Sequence, residues 1–538
     1  MDVLLTDADI VSMAPGAGPA TSMLIRDDRI VAAGPAEQVR AAAAPDARVV
    51  SLDGAAVLPG LIDAHCHLFD VGYLASGADC SQPAAPDIPA IMARLRAAAD
   101  ETPAGSWVTG SGYVEYKLRE GRHPTRADLD AAVPGRPAIL FHTSLHACVL
   151  NTPALREAGL DDQQPDPPGG RFGRDGDGRL NGVVYEGPTF ALLWGGQRRD
   201  VERMSAAERA GLVVRATGHF AARGVTAACD ADTRRASLTA YAEADEQGVL
   251  GVRIAGLVVH DEKDWLLGSG LRGRRSPRLA AESVKIWADG GMSSRTAAIH
   301  GTYPVPPYGS GIMYFTPDEL AVMVAELDAR GLQVCIHAQG DRAIEAVLDT
   351  YAGVLAGRPG NPLRHRIEHG GSLFAPLAAR AGRLNIAVAA QPGMLSILGD
   401  GFAEALPEHR DELFAYRSWR RAGVRVAGSS DAPVITADPL TGIRDAVLRR
   451  TAGGRVLGPG ERLTVPDALA LYTIEAAFAM RREHDLGSLE PGKLADFVIL
   501  DRSPLQVEPE QITDLRVLET VVGGQSAFHA ADSPLPQG

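Results

Sequence analysis

The chain has only five cysteines in 538 residues, an odd number scattered at Cys66, Cys80, Cys148, Cys229 and Cys335 with no C-x-x-C pair. That usage excludes a disulfide framework and fits a reducing, cytoplasmic setting. No apolar run reaches the ~18 residues that a membrane-spanning helix requires, so no membrane partner is expected. No Lys/Arg-rich run occurs, and 53 basic against 67 acidic residues leave a net charge of −14. This balance argues against nucleic acid or an anionic membrane as partner. The opening residues, "MDVLLTDADIVSMAPG", place Asp2, Asp7 and Asp9 where a secretory leader carries basic residues, and the expected location is the cytoplasm. No Gly-rich phosphate loop or arginine cluster is evident, which disfavours phosphate substrates. "GSSDAP" lacks the G-x-S-x-G elbow of a serine nucleophile. No internal repeat is found.

What is present is a soluble globular composition, 45% apolar and 22% charged. The length exceeds one ordinary core, so one large domain with a smaller companion is expected. The first 58 residues read as β, with "SMLIRDDRIVAAG" folded about the turn-prone pair Asp27-Asp28. The stretch "LGSLEPGKLADFVILD" near the other end reads the same way, with Pro491-Gly492 suited to the centre of a type II turn. Segments 1–58 and 487–530 are therefore expected to form one small sheet domain around a larger middle, 59–486.

The middle alternates strands and helices. "GLIDAHCH" is followed by strand candidates at 224–231, 252–259, 283–290, 332–339, 364–370, 385–393 and 424–433. Helical stretches such as "TPDELAVMVAELDARG" separate most of them, here with a Thr cap, a Glu three residues later and a closing Gly. Eight such units are the count of a (β/α)8 barrel, an α/β fold whose active sites lie at the C-terminal ends of the strands. Residues from about 70 to about 210 are too many for one loop and must form a structured insertion. Within it, "DDQQPDPPGGRFGRDGDGRL" reads as a loop or hairpin.

The polar residues at these strand ends raise a question of chemistry. The first strand, in "VLPGLIDAHCHLF", ends in His65 and His67; the fourth holds Lys285; the fifth, sixth and eighth end in His337, His369 and Asp431. Alternate strand residues share a face, so His65 and His67 can both look inward, with Cys66 as filler on the opposite face. A single histidine on an apolar strand is usually structural. Four histidines with an acid and a lysine at one barrel mouth instead make a donor set for a divalent metal, Zn2+ first, with Mn, Fe or Ni also compatible.

The motifs "PGLIDAHCH", "KIWADGGMSSRTAA", "IHAQGDRAIE", "RHRIEHG", "GSSDAP" and "GSLEPGKLADFVILD" occur in the order found in the amidohydrolase superfamily. Within it the chain resembles the YtcJ-like branch along nearly its whole length. The resemblance implies a metal-dependent hydrolase on a distorted TIM barrel with the composite β-sandwich, and an insertion after the first strand. It implies His65 and His67 as ligands of a first metal, His337 and His369 as ligands of a second, and Asp431 as a ligand that also accepts the proton of the attacking water. It implies Lys285 carbamylated as an anionic bridge, since a free lysine with pKa ~10.4 would be a cation beside dications. An unmodified Lys285 paired with Asp431 or substrate, beside a single metal, is the alternative.

His146 matches a histidine that the branch places over the pocket, but Ser144-Leu145 stand where the branch has Asp-Gly. Arg295 either anchors a substrate carboxylate or fixes its loop. Trp107, Tyr113, Trp194 and Trp287 either line an apolar pocket or pack in the core. Glu186 and the pair Asp341-Arg342 read as structural. The expected reaction is hydrolysis of a non-peptide C–N bond in a small molecule: an N-formyl or N-acyl amide, carbamate, urea or cyclic amide. Deaminase, lactonase or esterase chemistry on the same centre, and a non-catalytic binding relative, remain open. A homodimer is implied by the family.

Overall fold

The computed structural model describes residues 2–103, 105–167, 170–304 and 309–535, apart from the side chains of Phe190, Trp194, Gln197, Arg198 and Asp200. Eight parallel strands make up its largest sheet, with the short Gly273–Arg274 added antiparallel to the fourth: β1 (Leu61–Cys66), β2 (Val225–Thr233), β3 (Arg253–Val259), β4 (Leu279–Trp287), β5 (Gln333–Ala338), β6 (Arg366–His369), β7 (Ala387–Ala390) and β8 (Arg425–Gly428). They pair in sequence order from β1 to β8, and each matches one of the eight strand candidates. No ladder joins β8 to β1. Past the end of β8, the Asp431 N–H donates to the His65 carbonyl at 2.7 Å, and the His67 N–H to the Ala432 carbonyl at 2.7 Å. The barrel thus closes through the residues that carry its polar side chains.

Alternation sorts the strand side chains. Val284, Ile286, Val334, Ile336, Ile367, Val388 and Val426 pack outward against helix residues such as Val324, Leu327, Ile344 and Val347. Their neighbours Lys285, Cys335, His337, Arg366 and Glu368 therefore point inward. Strand β1 breaks the rule. Asp63 to Cys66 spans three steps opposite the two steps from Ala228 to Asp230, a bulge that shifts the phase of the strand. Ala64 packs with Ala227, Cys335, Ala389 and Ala427. Cys66 packs with Phe69, Phe220 and Tyr241 on the helix side. The bulge lets His65, next to inward Ala64, also face the interior.

Capping follows the sequence chemistry. The helix Pro317–Ala329 opens on Thr316, whose hydroxyl accepts from the Glu319 N–H while the Glu319 carboxylate accepts from the Thr316 N–H, a capping box.

Strands from the two chain ends share a five-stranded sheet ordered Asp9–Ile10, Ala56–Pro59, Phe497–Leu500, Val517–Val522 and Gln525–His529. A four-stranded sheet built from Asp2–Thr6, Ser22–Arg26, Arg29–Gly34 and Arg48–Ser51 packs on it through Leu5, Met23, Val57, Phe497 and Ile499. Asp27 takes φ 54° in the hairpin turn and Gly492 takes φ 90° in the Pro491-Gly492 turn. The sandwich is pinned to the barrel by the Arg253–Asp496 pair, bidentate at 2.7 and 2.8 Å and almost fully buried.

After β1 the chain builds a six-stranded mixed sheet from Ala78–Asp79, Val108–Tyr113, Ala138–His142, Ala147–Leu150, Gly170–Arg174 and Leu180–Glu186. The last two are an antiparallel hairpin. This sheet carries His146 and Glu186 over the barrel mouth.

Candidate metal centre

The C-terminal ends of β1, β4, β5, β6 and β8 converge. His65 is fully buried and His369, His337 and Lys285 nearly so. Ring centres of His65 and His369 are 4.7 Å apart, and those of His337 and His369 are 4.5 Å apart. Asp431 Oδ1 lies 3.2 Å from His65 Nε2 and 3.1 Å from His67 Nε2. His65, His67 and Asp431 each offer a ligand atom within 4.8 Å of the others. Asp431 and His369 both adopt left-handed backbone, with φ 59° and 71°. Such geometry costs about 1–3 kcal/mol per residue and persists only where the surroundings impose it.

Three of the imidazoles are each held in one tautomer by an acceptor. His65 Nδ1 is bonded to Glu368. His369 Nδ1 donates to Gln391 Oε1 at 2.8 Å, and the Gln391 amide is itself oriented by Ala389 and Ser429. His337 Nε2 donates to the Gly290 carbonyl at 3.1 Å. Each ring therefore keeps its lone pair on the other nitrogen. The Nε2 atom of His65 and the Nδ1 atom of His67 are buried without a hydrogen bond. Lone pairs fixed by acceptors behind the ring, with an adjacent carboxylate, are what a divalent cation requires of its ligands. The residues fit such a cation.

The electrostatics agree. Burial, with the neighbouring histidines and Lys285, drives the His337 pKa well below its usual value, and burial takes His369 down to about 3; both are neutral donors at pH 7. Burial opposes ionisation of Asp431, yet the His65 and His67 imidazoles set against it, with His369 close by, hold its carboxyl well below the usual range. Burial lowers the Lys285 ammonium pKa, with Glu368 and Asp431 opposing. Its Nζ sits 4.6 Å from the centre of the Trp287 ring.

A narrow recess opens above, lined by His67, Lys285, Trp287, His337, His369 and Asp431, with His146, Ser144, Asp70 and Asp232 on its walls. Of the residues singled out in the sequence, Arg295 does not line it. It is half-buried at φ 57°, in a turn closed by its N–H to the Met292 carbonyl at 3.0 Å. Trp107 and Tyr113 lie in the insertion, bonded to Glu157 and His123. The side chain of Trp194 lies outside the described residues. Asp341 braces the loop after β4 through the His300 N–H at 3.0 Å.

Glu368, Gln391, Asp63 and Asp289 escaped sequence reasoning. Asp63 accepts from the Ser430 N–H at 3.0 Å and the Ser430 hydroxyl at 2.5 Å, tying β1 to the Asp431 turn. Asp289 accepts three backbone N–H groups, from Ala298, Gln339 and Gly340. The signal available was position, since Asp63 and Glu368 stand within two residues of a candidate ligand.

A parallel barrel with imidazoles, a lysine and a carboxylate gathered at the C-terminal ends of its strands defines a hydrolase of the metal-centred TIM-barrel class. The sequence profile of the amidohydrolase family matches residues 48–528, and the chain belongs to that family. It is 30% identical to N-substituted formamide deformylase of Arthrobacter pascens, over 99% of each chain. It is 29% identical to the Bacillus subtilis (strain 168) protein named "Putative amidohydrolase YtcJ", over 90% of this chain and 91% of that one. Its fold matches the crystal structure of an uncharacterized metal-dependent hydrolase from Pyrococcus horikoshii OT3 with TM-score 0.78 at 24% identity, covering 95% of this chain and 99% of that one.

Proposed function

We propose that this enzyme hydrolyses a non-peptide C–N bond of a small amide-like molecule at a centre of one or two divalent cations. The observation that carries the reading is the set of acceptor-locked imidazoles facing one buried carboxylate. His65, His67 and Asp431 would hold one cation, His337 and His369 a second, and Lys285, as its carbamate, would bridge them. Nitrogen and carboxylate donors favour Zn2+. The full-length likeness to a deformylase named for N-substituted formamides supports amide chemistry.

The bound cation would supply Lewis acidity, making water nucleophilic at neutral pH and polarising the carbonyl. Asp431, kept ionised by its two histidines, takes the proton of the attacking water. Trp287 and His146 line the recess beside it and contact the substrate. Segments 1–58 and 487–530, joined by pairing of Ala56–Pro59 with Phe497–Leu500, act as one domain, with 59–486 as the catalytic domain. Five unpaired, buried cysteines suit a reducing compartment. Among the described residues no helix is long and apolar enough to cross a membrane.

The test is amine release from N-formyl, N-acyl, carbamate, urea and cyclic amide compounds, with and without Zn2+ and a chelator. Release from one class, lost on chelation, is expected. Ester or lactone turnover without amine release from metal-containing protein overturns the C–N assignment.

A further inference from the structure

Asp431, His65 and His67 come from β8 and β1. The insertion brings a second ionisable pair, His146 and Glu186, to this end of the barrel, and of the two His146 lines the same recess. His146 leads into the insertion strand Ala147–Leu150, and Glu186 ends the strand Leu180–Glu186. The His146 Nδ1 donates to Glu186 Oε2 at 2.7 Å, and the Glu186 N–H donates to the His146 carbonyl at 2.8 Å. The ring centre of His146 is 5.9 Å from that of His337. A Cβ placed on Gly291, in the loop after β4, would stand 3.4 Å from the ring, an ordinary packing distance, so this loop lies against His146.

Glu186 is 1% exposed and sits at φ 62°. Its carboxylate also accepts from Tyr314 at 2.6 Å, Thr296 at 2.5 Å and Ser294 at 3.1 Å. The donors arise from the insertion and from the loop after β4, so this one carboxylate anchors the insertion to the barrel mouth. Three hydroxyls would satisfy a structural carboxylate. The fourth donor is an imidazole whose other edge belongs to the recess wall. With Nδ1 committed to Glu186, Nε2 is the nitrogen through which the ring can address a bound molecule.

We propose that His146 is the proton donor to the leaving nitrogen, positioned by Glu186, and that this task is separate from that of Asp431. The inference rests on C–N hydrolysis as proposed above. Water adds its oxygen to the carbonyl carbon and gives one proton to Asp431. The tetrahedral carbon then expels nitrogen, whose electron pair takes the proton from His146 Nε2 as the C–N bond breaks. Acid and amine depart, and the proton on Asp431 returns to His146 through solvent. Placing the two groups on opposite sides of the recess lets one act on the attacking oxygen and the other on the departing nitrogen.

The experiment uses full-length, metal-loaded enzyme and a series of N-acyl amides whose leaving amines run from nitroanilines to alkylamines. Wild-type kcat should depend weakly on amine pKa. His146→Gln should lose on the order of 10²-fold with alkylamines and stay within about 5-fold with nitroanilines, whose departure depends far less on an acid. Glu186→Gln should show the same graded pattern, in kcat more than in KM. Both variants should bind metal as wild type does, measured directly by elemental analysis. A steep wild-type dependence, a loss equal across the series, or lost metal in His146→Gln overturns the proposal. The wild-type slope needs no variant to fold. Absence of amine release by metal-containing wild type overturns the C–N reading itself, and is seen before any variant is compared.

Discussion

His65 and Glu368, 303 residues apart in sequence, form a fully buried imidazole–carboxylate pair at the base of the barrel mouth. Glu368 is clamped in turn by Arg366, with Nε 2.7 Å from Oε1 and Nη2 3.2 Å from Oε2. Arg366 spans the barrel to the Ala64 carbonyl at 2.9 Å. The pair aims His65 Nε2 at the Asp431 carboxylate, 3.2 Å away. Glu368→Gln should weaken metal affinity by about 10–100-fold, as loss of a carboxylate behind a ligating histidine does. Glu368→Ala should in addition cost about 3–5 kcal/mol by leaving buried Arg366 uncompensated. Metal titration against a competing chelator and urea unfolding measure the two effects separately. Unchanged affinity in Glu368→Gln would remove His65 from the ligand set.

Asp431→Asn should preserve the fold, because asparagine tolerates the left-handed backbone at φ 59°. It should keep most of the metal and reduce kcat by roughly 10²–10⁴-fold, the range of a lost acid–base group. Near-normal kcat would exclude Asp431 as the proton acceptor.

Lys285 is 1% exposed, and its ammonium is destabilised by burial. A lowered ammonium pKa favours the neutral amine, the form that CO2 would carbamylate. Lys285→Ala should lose metal and activity together, with partial return of both when acetate or propionate is supplied. Full metal occupancy and undiminished kcat in this variant would exclude the bridging carbamate.

Glu115 lies 2.9 Å from His142 Nε2, and His142 Nδ1 bonds the Ser144 hydroxyl of the recess wall at 2.7 Å. Burial opposes ionisation of Glu115, but the His142 imidazole paired against it brings its pKa down to about 2. A carboxyl depressed on folding contributes stability above its unfolded pKa and loses it as pH falls through the folded one. Wild type should therefore lose roughly 2–3 kcal/mol from this group between about pH 5 and pH 2. Glu115→Gln should flatten that part of the stability profile, read from urea midpoints across the window. An identical slope in the variant would show that the pair contributes nothing.

The eight barrel strands were legible because inward and outward residues differ in kind, as in Val284-Lys285-Ile286 and Cys335-Ile336-His337. His65, His67, Lys285, His337, His369 and Asp431 stood out because ionisable residues ending apolar strands are rare. Glu368 did not stand out: its charge is explained only by His65 and Arg366, and a partner on another strand leaves no local pattern. Glu186 read as structural because its link to His146 depends on how the insertion folds back over the loop after β4. Arg295 was legible as a cation near the site, but its turn keeps it off the recess wall.

The sequence by itself determined the strand count and which ionisable residues stand at the strand ends. These follow from local alternation and from side-chain chemistry. Tertiary structure alone decided which imidazole nitrogen faces the recess, through Glu368, Gln391 and the Gly290 carbonyl. It alone decided that β1 carries a bulge that turns His65 inward, and that His146 and Glu186 meet across the mouth from Asp431. Those outcomes depend on hydrogen bonds and ring closure between segments far apart in the chain. Their energies arise only when the barrel is assembled, so no stretch of the chain records them alone.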